Sequence, residues 1–523
     1  MKSQKKLDTT IEFNIQKFND VWLDNGLATF SKILKKLSED DEEDIIEKVD
    51  ISFSTLSYSF GNKDEFASLF ANAIKGKIDD MIVGIENKDT GEVKEVKKDH
   101  ILIQENKKIG GKVAFKEDIF DRNKTDDVIS TIYENLEEGN KTCFFCGRKF
   151  KSKIKSLQQA SYPFVTKIKS LSGIRSHTKK GIRLTEYMDD YCPQCYLIGI
   201  LEWLDESMIY RTIPGEKAII ILPQMERLDE LVELKNSYTG ILNNTKRWAN
   251  IKIDVDKEDI EKTPGKYTTL VSFYENLIRY INPDKSANHW FIIEIPTGTV
   301  KNPKYYEITF GETILNLFYE LITKEHSLFY REFVKIFYAF YDDPKKGIRD
   351  FDKEHILHEQ LCQAVTYDDF PLFCNAFLPR KGVHIGIKKE SYEILGKIIK
   401  IWRLEKMNIE NKEEYLKTLQ MASYSIANLI GTRIGLFFKL EKAKNPSEFL
   451  SALQEITRRN IIDSESNIGK VYKTSIEKVA ELIIQKYEEK DGKQFFYDTK
   501  NIILIYASLR KKTENKKEEK DEQ

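Results

Sequence analysis

The sequence lacks an excess of charge of either sign: 83 Lys and Arg residues stand against 84 Asp and Glu residues, for a formal net charge of -1. The chain as a whole therefore gives no electrostatic sign of a nucleic-acid partner, and local charge is the better guide. No run of residues approaches the ~18 apolar residues that a membrane-spanning helix needs. The first residues also lack the apolar core of a signal peptide. We therefore expect a cytoplasmic protein with no membrane partner.

The sequence also lacks the short motifs of several enzyme classes. It contains no Walker A motif, no Gly-x-Gly-x-x-Gly fingerprint and no Gly-x-Ser-x-Gly elbow. Asp342-Asp343 and Asp368-Asp369 are paired acids with a proline nearby, and such pairs are more often turns than catalytic dyads. Nothing in these motifs therefore compels an enzyme, and we predict that the protein is not one.

Cysteine is scarce, with six in 523 residues, but four of the six form two Cys-x-x-Cys pairs. Cys143 and Cys146 make the first pair, and Cys192 and Cys195 make the second. Two thiolates three residues apart can hold one side of a tetrahedral ion, and in a cytosolic protein this pattern favours a metal over disulfides. We predict that all four bind one structural Zn²⁺ ion, which leaves no position for a catalytic water.

The segment between the two pairs carries charge of one sign only, because no Asp or Glu occurs in residues 148–184. Basic side chains at this density neutralise phosphates, so we predict that the segment contacts nucleic acid. Tyr162, Phe164 and His177 could stack on bases or pack locally. The alternative is a solvated loop that balances acidic neighbours such as residues 39–47. The predicted nucleic-acid contacts are Arg148, Lys149, Lys151, Lys153, Lys155, Lys167, Lys169, Arg175, Lys179, Lys180 and Arg183.

Hydrophobic periodicity divides the chain into regions of different character. Residues 1–135 mix helical and strand patterns, and residues 136–212 form a module around the two cysteine pairs. Residues 213–385 mix strands and helices, whereas residues 386–510 have a single proline and helical periodicity throughout. The charged tail 511–523 should be disordered. We predict a multidomain α+β protein, with an α/β body, a zinc-knuckle insertion and a C-terminal helical bundle.

Some elements can be placed more closely. Ala218–Pro223 and Trp290–Pro296 are short apolar runs that end at proline, which suits buried strands. In the C-terminal region, helical periodicity covers residues 390–407, 411–442, 446–459, 468–490 and 494–510.

Two further sets of residues could bind a metal. His355, His358 and Cys362 share one face of a predicted helix, but a zinc protease has its histidines four apart around a Glu. We favour a helix face with satisfied histidines, and buried thiols at Cys362 and Cys374. His100, which follows an aspartate, is the element closest to a zinc-supported HNH nuclease, although no second ligand is evident at the proper spacing.

Cys143-x-x-Cys146-Gly and Cys192-Pro-x-Cys195 are followed by an apolar run, an α/β body and a separable helical C-terminal region. With balanced charge at this length, the sequence resembles the large subunit of the type I-B CRISPR Cascade complex, of the Cst family. Trp22-Leu-Asp-Asn-Gly26 and Asn243-Asn-Thr-Lys-Arg-Trp248 are also similar to that family, with less specificity.

The resemblance implies a non-catalytic subunit of a CRISPR RNA-guided surveillance complex. Its partners would be CRISPR RNA, target DNA, the other Cascade subunits and a separate helicase-nuclease that it helps to recruit. Such a subunit reads the short motif beside the target and helps to open the duplex, while guide pairing supplies sequence specificity. Asn and Arg suit groove edges, although a structural loop with Asn turns is an equal alternative. The candidate readout residues are Asn243, Asn244, Lys246 and Arg247.

The resemblance also implies that the C-terminal helical domain can be made separately by internal initiation. Met407 and Met421 lie near the start of that region, and Met407 is the better candidate because Met421 would cut into a helix. Two other functions remain open: a zinc-containing, metal-dependent nuclease of the HNH type, and a zinc-stapled scaffold that binds only protein.

Overall fold

In a computed structural model the chain is a mixed α+β protein, mostly helical, with several small sheets. The chain divides into two compact units: unit 1 comprises residues 1–252 and 280–308, and unit 2 comprises residues 253–279 and 309–523. The predicted boundaries at residues 135, 212 and 385 stay predictions. The structure describes residues 10–41, 44–79, 82–86, 93–97, 103–105, 113–115, 117–158, 161–164, 190–205, 209–213, 217–243, 265–279, 286–296, 303–340, 350–379, 384–387, 389–431, 433–461 and 468–510.

A three-stranded antiparallel sheet forms one layer of unit 1. Strand β3 (Thr55–Phe60) is central, and β1 (Ile11–Gln16) and β2 (Ile46–Ile51) are its two edges. Phe13 and Ile15 are buried while the residues between and after them are exposed, which is the alternation expected of a half-buried strand. One face of this sheet therefore belongs to the core of the unit.

Three helices share that core: α1 (Val21–Asp40), α2 (Lys63–Asp79) and α3 (Thr125–Asn135). The carboxylate of Asp20 caps α1, because its Oδ1 accepts hydrogen bonds from the backbone N–H groups of Trp22 and Leu23 at 3.0 Å. Aromatic side chains from the sheet and helices contact one another in the core. These rings are Phe13, Phe30, Tyr58, Phe60, Phe66, Phe70 and Tyr133.

In the part of the chain that the structure describes, three two-stranded ribbons follow β3 and precede the second cysteine pair. They are β4 (Ile82–Glu86) with β5 (Val93–Lys97), β6 (Ile103–Glu105) with β7 (Val113–Phe115), and β8 (Lys141–Thr142) with β9 (Lys149–Phe150). The last ribbon carries the first cysteine pair in its turn. The second pair lies at the start of helix α4 (Pro193–Leu201). The structure therefore places the first pair in a hairpin turn and the second pair at a helix start.

A second sheet completes unit 1, with its strands in the order β10, β11, β12, β13. Strands β11 and β12 coincide with the two predicted apolar runs, which confirms those predictions. Residues 219–222 are fully buried, as expected for a central strand covered on both faces. Helix α5 (Leu228–Asn243) follows β11. The strands are β10 (Ile209–Ile213), β11 (Lys217–Gln224), β12 (His289–Pro296) and β13 (Lys304–Thr309).

The first part of unit 2 is helical, with one small ribbon and a π-helical turn at Tyr330–Val334. Phe333, Phe373 and Phe377 contact one another, and Trp402 packs on Phe373. The elements are α6 (Lys266–Ile278), α7 (Glu312–Thr323), β14 (Tyr338–Phe340), α8 (Phe351–Thr366), α9 (Phe370–Asn375) and β15 (His384–Gly386), in which β14 pairs with β15.

In the described residues from 389 to 510, six α-helices make up the C-terminal part of unit 2, so the helical character predicted after residue 386 is confirmed. The predicted helix 411–442 is two helices, because Gly431 has a φ of +49° and ends the first of them. No described helix is both long enough and apolar enough to cross a membrane. The helices are α10 (Lys389–Trp402), α11 (Lys412–Ile430), α12 (Ile434–Lys442), α13 (Pro446–Ile461), α14 (Ile468–Tyr487) and α15 (Gly492–Arg510).

Candidate metal centre

The four cysteines of the two pairs meet at one point of unit 1. Their sulfur atoms all lie within 4.8 Å of one another. The Sγ atoms of Cys143 and Cys195 are 3.7 Å apart, and those of Cys146 and Cys192 are 3.6 Å apart. A tetrahedral thiolate site with metal–sulfur bonds of about 2.3 Å has edges of about 3.8 Å, whereas a disulfide is about 2.05 Å long. The arrangement therefore suits one tetrahedral metal ion, and all four cysteines are free of disulfides.

The first pair lies in the turn of the β8–β9 hairpin. The N–H of Cys143 donates to the carbonyl of Arg148 at 2.8 Å, and the N–H of Gly147 donates to the carbonyl of Cys143 at 2.9 Å. Gly147 has a φ of +70°, in the left-handed region that favours glycine. This tight turn brings the sulfur atoms of Cys143 and Cys146 to the same side of the hairpin.

The second pair lies at the start of α4. Cys192 is the N-cap, its Sγ accepts from the N–H of Cys195 at 3.4 Å, and Pro193 occupies the first turn. The N–H of Cys192 in turn donates to the Sγ of Cys143 at 3.2 Å. N–H donors and the positive end of a helix dipole both favour thiolates over thiols, so the start of α4 is suited to metal ligands.

The four cysteines differ in the pKa of their thiols and in their exposure. Hydrogen bonds with the other three thiols, that of Cys146 first, lower the pKa of Cys143, whereas burial raises the pKa of Cys195. Cys146 is the exposed member of the group and the other three are buried. A bound metal ion would deprotonate all four, because thiolate is the form that coordinates.

Helix α4 is buried along its whole length and lies directly against α1. A Cβ atom at Gly26 would be 2.2 Å from the carbonyl oxygen of Ile198, and a Cβ atom at Gly199 would be 2.1 Å from that of Ser161. The indole N–H of Trp22 donates to the carbonyls of Gly199 at 3.0 Å and Ser161 at 3.1 Å. The ligand-bearing helix is thus fixed to α1 by backbone contact and by buried hydrogen bonds.

A buried ionic group lies just beyond α4 and was missed by sequence reasoning. The Nζ of Lys235 lies 2.7 Å from Glu202 and 2.9 Å from Asp205, and Thr29 also donates to Glu202 at 2.9 Å. Burial raises the pKa of Glu202 to about 7 in spite of the ammonium group. The available signal was Glu202 itself, a single acid inside the apolar run that follows Cys195.

Two of the predicted nucleic-acid contacts have acidic partners. The Nζ of Lys155 lies 2.8 Å from the buried carboxylate of Glu117, and that of Lys151 lies 3.9 Å from the exposed Glu137. Lys155 therefore neutralises a buried charge, which is a structural role that its place in a basic segment did not reveal.

Arg148, Lys149 and Lys153 have no carboxylate within ion-pair distance among the residues that the structure covers. Lys149 is exposed on β9, and Arg148 lies with its guanidinium 5.3 Å from the ring centre of Phe13. The other predicted contacts lie outside the described residues. They are Lys167, Lys169, Arg175, Lys179, Lys180 and Arg183.

The aromatic residues of the segment pack locally where they are described. The hydroxyl of Tyr162 donates to Asp20 at 2.6 Å, and the ring is buried. Phe164 is also buried and contacts Phe291 and Tyr305. These two rings are therefore part of the core of unit 1, and His177 lies outside the described residues.

The other candidate metal sites gather no ligands in the described part of the chain, where the four cysteines form the one group suited to a metal. The Nε2 of His358 lies 2.5 Å from the carbonyl of Phe337, and Cys362 and Cys374 are buried free thiols. This agrees with the interpretation of a helix face with satisfied histidines. His100 lies outside the described residues, as do the readout candidates Asn244, Lys246 and Arg247, and Asn243 is the last residue of α5.

No protein-family model matches the chain, and neither does any curated protein. The resemblance inferred from the motifs therefore stays a proposal. The geometry by itself establishes a group of four thiols, three of them buried, that can hold one metal ion.

Proposed function

We propose that the four cysteines hold a structural Zn²⁺ ion. Zn²⁺ accepts four thiolates in a tetrahedron, and the separations of 3.6 and 3.7 Å between sulfur atoms suit its bond lengths. Four protein ligands close the coordination sphere, so this ion would activate no water. The ion would instead tie a hairpin to a helix start.

We further propose that the chain is the non-catalytic large subunit of a type I-B CRISPR RNA-guided surveillance complex, located in the cytoplasm. In this role it binds target duplex DNA, reads the motif beside the target, helps to unwind it and recruits the helicase-nuclease. The observation that carries the proposal is the closed four-cysteine group beside a basic segment, which supports an anchored binding surface rather than a reaction centre. Motif reading by residues 243–247 rests on the family resemblance alone.

The charges around the cysteine group support contact with nucleic acid. Arg148, Lys149 and Lys153 keep their charges available, in the sense that no described carboxylate lies within ion-pair distance of them. Phosphate contacts position a protein on nucleic acid without specifying a sequence, which fits a subunit whose specificity comes from a guide.

The test is to recover the native protein from its host and to sequence the small RNA that accompanies it. The expected result is RNA that carries CRISPR repeat sequence, together with the other Cascade subunits. Recovery of protein partners without RNA would favour the scaffold function. Metal-dependent cleavage of DNA by the purified protein, lost in a His100→Ala variant, would establish the nuclease function instead.

A further inference from the structure

A recess of about 250 Å³ lies between the outer edge of β1 and the first cysteine pair. Its lining includes residues 14–16 of β1, Lys17, Phe145, Arg148 and Gln194. Among the described residues, two basic side chains and no acidic one line it. Because the recess adjoins the cysteine group, any ligand in it would contact the surface that the metal anchors.

The outer edge of β1 offers backbone groups to this recess. The N–H of Lys17 donates to the carbonyl of Ser54 at 2.7 Å, on the β3 side. Since backbone groups alternate in direction along a strand, Asn14 and Gln16 direct theirs away from β3. The guanidinium of Arg148 donates to the carbonyl of Asn14 at 3.4 Å, in agreement with that direction.

Arg148 supplies the charge for an anionic ligand. The Nζ of Lys17 lies 3.3 Å from the carboxylate of Asp24, which neutralises it. Arg148 has no such partner among the described residues, and its one hydrogen bond there leaves most of its donors available. A guanidinium in this state binds a phosphate with two parallel hydrogen bonds.

The turn that carries Arg148 also carries an exposed aromatic ring. Phe144 is 44% exposed in the turn that carries the first cysteine pair. Its ring packs against that of Phe145 with a centroid distance of 5.3 Å, and Phe145 is held in turn by Tyr162 at 4.9 Å. An exposed ring that packs on a second ring, in the same turn as a cation, suits the stacking of an unpaired base.

We propose that this face of the first cysteine pair binds single-stranded nucleic acid, with a base stacked on Phe144 and the adjacent phosphate on Arg148. This inference rests on the proposed function. It adds that the bound nucleic acid is single-stranded and that Phe144 and Arg148 contact it. A base within a duplex is already stacked on both faces, so Phe144 selects an unpaired one. An extended peptide added to the edge of β1 is the competing occupant, and it would not depend on Phe144.

The test uses the full chain and fluorescent oligonucleotides of about 12 nucleotides, a length within the usual site size. Labelled oligo-dT and oligo-U separate DNA from RNA, and an oligo-dT·oligo-dA duplex tests the strand state, all by fluorescence anisotropy. Phe144→Ala should weaken single-strand binding about 5- to 150-fold, because stacking contributes about 1–3 kcal/mol per base. Its salt dependence should be unchanged, since no phosphate contact is lost.

Arg148→Ala should weaken binding and also lower the slope of log affinity against log salt by about 0.7, the value for one phosphate on a single strand. Phe144→Trp should keep the affinity because it keeps the ring. Phe351→Ala removes an equally exposed ring, 43% exposed, and Arg122→Ala removes an exposed cation; both should bind like the wild type. Each variant should retain its metal and its unfolding midpoint.

A 5-iodouracil oligonucleotide locates the contact directly, and its photo-crosslink should fall on residues 143–148. Wild-type affinity in both Phe144→Ala and Arg148→Ala would overturn the inference and is the result expected if a peptide fills the edge of β1. Failure of the wild-type chain to bind any single strand would overturn it too. In both cases the RNA recovered from the host decides the proposed function separately.

Discussion

Glu275 shows how a single buried carboxyl can make stability depend on pH. It lies in α6, almost fully enclosed, and its two oxygens accept hydrogen bonds from the backbone N–H groups of Tyr330 at 2.7 Å and Arg331 at 3.4 Å. These donors favour the ionised form, but burial opposes it more strongly and raises the pKa of Glu275 to about 7. The first N–H group of the π-helical turn at residues 330–334 therefore donates to a carboxyl whose pKa lies near neutral pH.

We expect Glu275→Gln to change the pH dependence of unfolding. A carboxyl whose pKa is higher in the folded than in the unfolded chain contributes its stabilisation fully below the unfolded value and loses it as pH rises through the folded value. The free energy of unfolding of the wild type, relative to Glu275→Gln, should therefore fall by about 3 kcal/mol between pH 4.5 and pH 7. Urea titrations of both proteins at several pH values in that range measure it.

Glu413→Gln is the control for this experiment. Its carboxylate is exposed and pairs with Lys400, which lowers the pKa of Glu413. The sign is therefore opposite: the contribution of Glu413 is present above its ordinary pKa and is lost as pH falls. The role assigned to Glu275 would be contradicted if the free energies of unfolding of the wild type and of Glu275→Gln differed by a constant amount from pH 4.5 to pH 7.

At the scale of elements, the position of α4 depends on two glycines. Gly26 allows the carbonyl of Ile198 in α4 to approach α1 more closely than any side chain would permit, and Gly199 allows the carbonyl of Ser161 to approach α4 in the same way. Because Cys192 is the N-cap of α4 and Cys195 lies in its first turn, the contact of Gly26 with Ile198 also sets the position of two of the four sulfur atoms relative to α1. The geometry of the cysteine group therefore depends on how α4 packs against α1.

We expect Gly26→Ala to destabilise unit 1 by about 1–3 kcal/mol, the usual cost of overpacking a core. The matched control is Gly76→Ala in α2, where a Cβ atom meets nothing within 4 Å. That change should stabilise by about 0.5–1 kcal/mol, because alanine loses less conformational entropy in a helix than glycine. Chemical unfolding of both variants checks the opposite signs, and two changes of the same sign would refute the argument.

The sequence predicted those elements whose signal is local. Strands β11 and β12 follow from apolar runs that end near proline, and the cysteine group follows from spacing alone. The break at Gly431 was missed, because a glycine inside a helical pattern does not by itself reveal its φ angle. The partner of Lys155 was missed for another reason: Glu117 is 38 residues away, and only the fold brings the two together.

The partners in the ionic group at Lys235 could not be predicted from the sequence for the same reason. Glu202 and Asp205 lie close to Cys195 in sequence, but the ammonium group that neutralises them comes from α5. The local sequence pattern identifies Glu202 as an acid inside an apolar run, but it cannot identify Lys235 as its partner. The position of α4 against α1 is likewise a tertiary contact, so the sequence predicted the four ligands and not their place in the core.

At the scale of the whole molecule, the cysteine group belongs to the main core of unit 1. Cys143, Cys192 and Cys195 are members of one buried apolar cluster that extends from Phe13 to Ile293. The predicted zinc module therefore shares its core with the N-terminal strands and helices. Unit 2 has cores of its own, such as the aromatic group around Phe373.

We expect metal removal to loosen unit 1 as a whole. Structural zinc binding is coupled to folding, and without the ion the four sulfur atoms lose the partner that holds them together. Chelation, or Cys143→Ser, should increase amide hydrogen exchange in α1, α4 and the β8–β9 hairpin, with little change in α11 and α15. The intact protein should contain one Zn²⁺ per chain by elemental analysis.

Cys374→Ser is the matched control, because Cys374 is equally buried but its Sγ donates to the carbonyl of Asn501 at 3.5 Å instead of joining the cysteine group. That variant should keep its zinc, and increased exchange should appear in α9 and α15. Faster exchange confined to residues 141–150 after chelation would mean that the hairpin alone depends on the ion. The contact of α4 with α1 would then hold unit 1 together without it, and the claim that metal and core form one structure would be wrong.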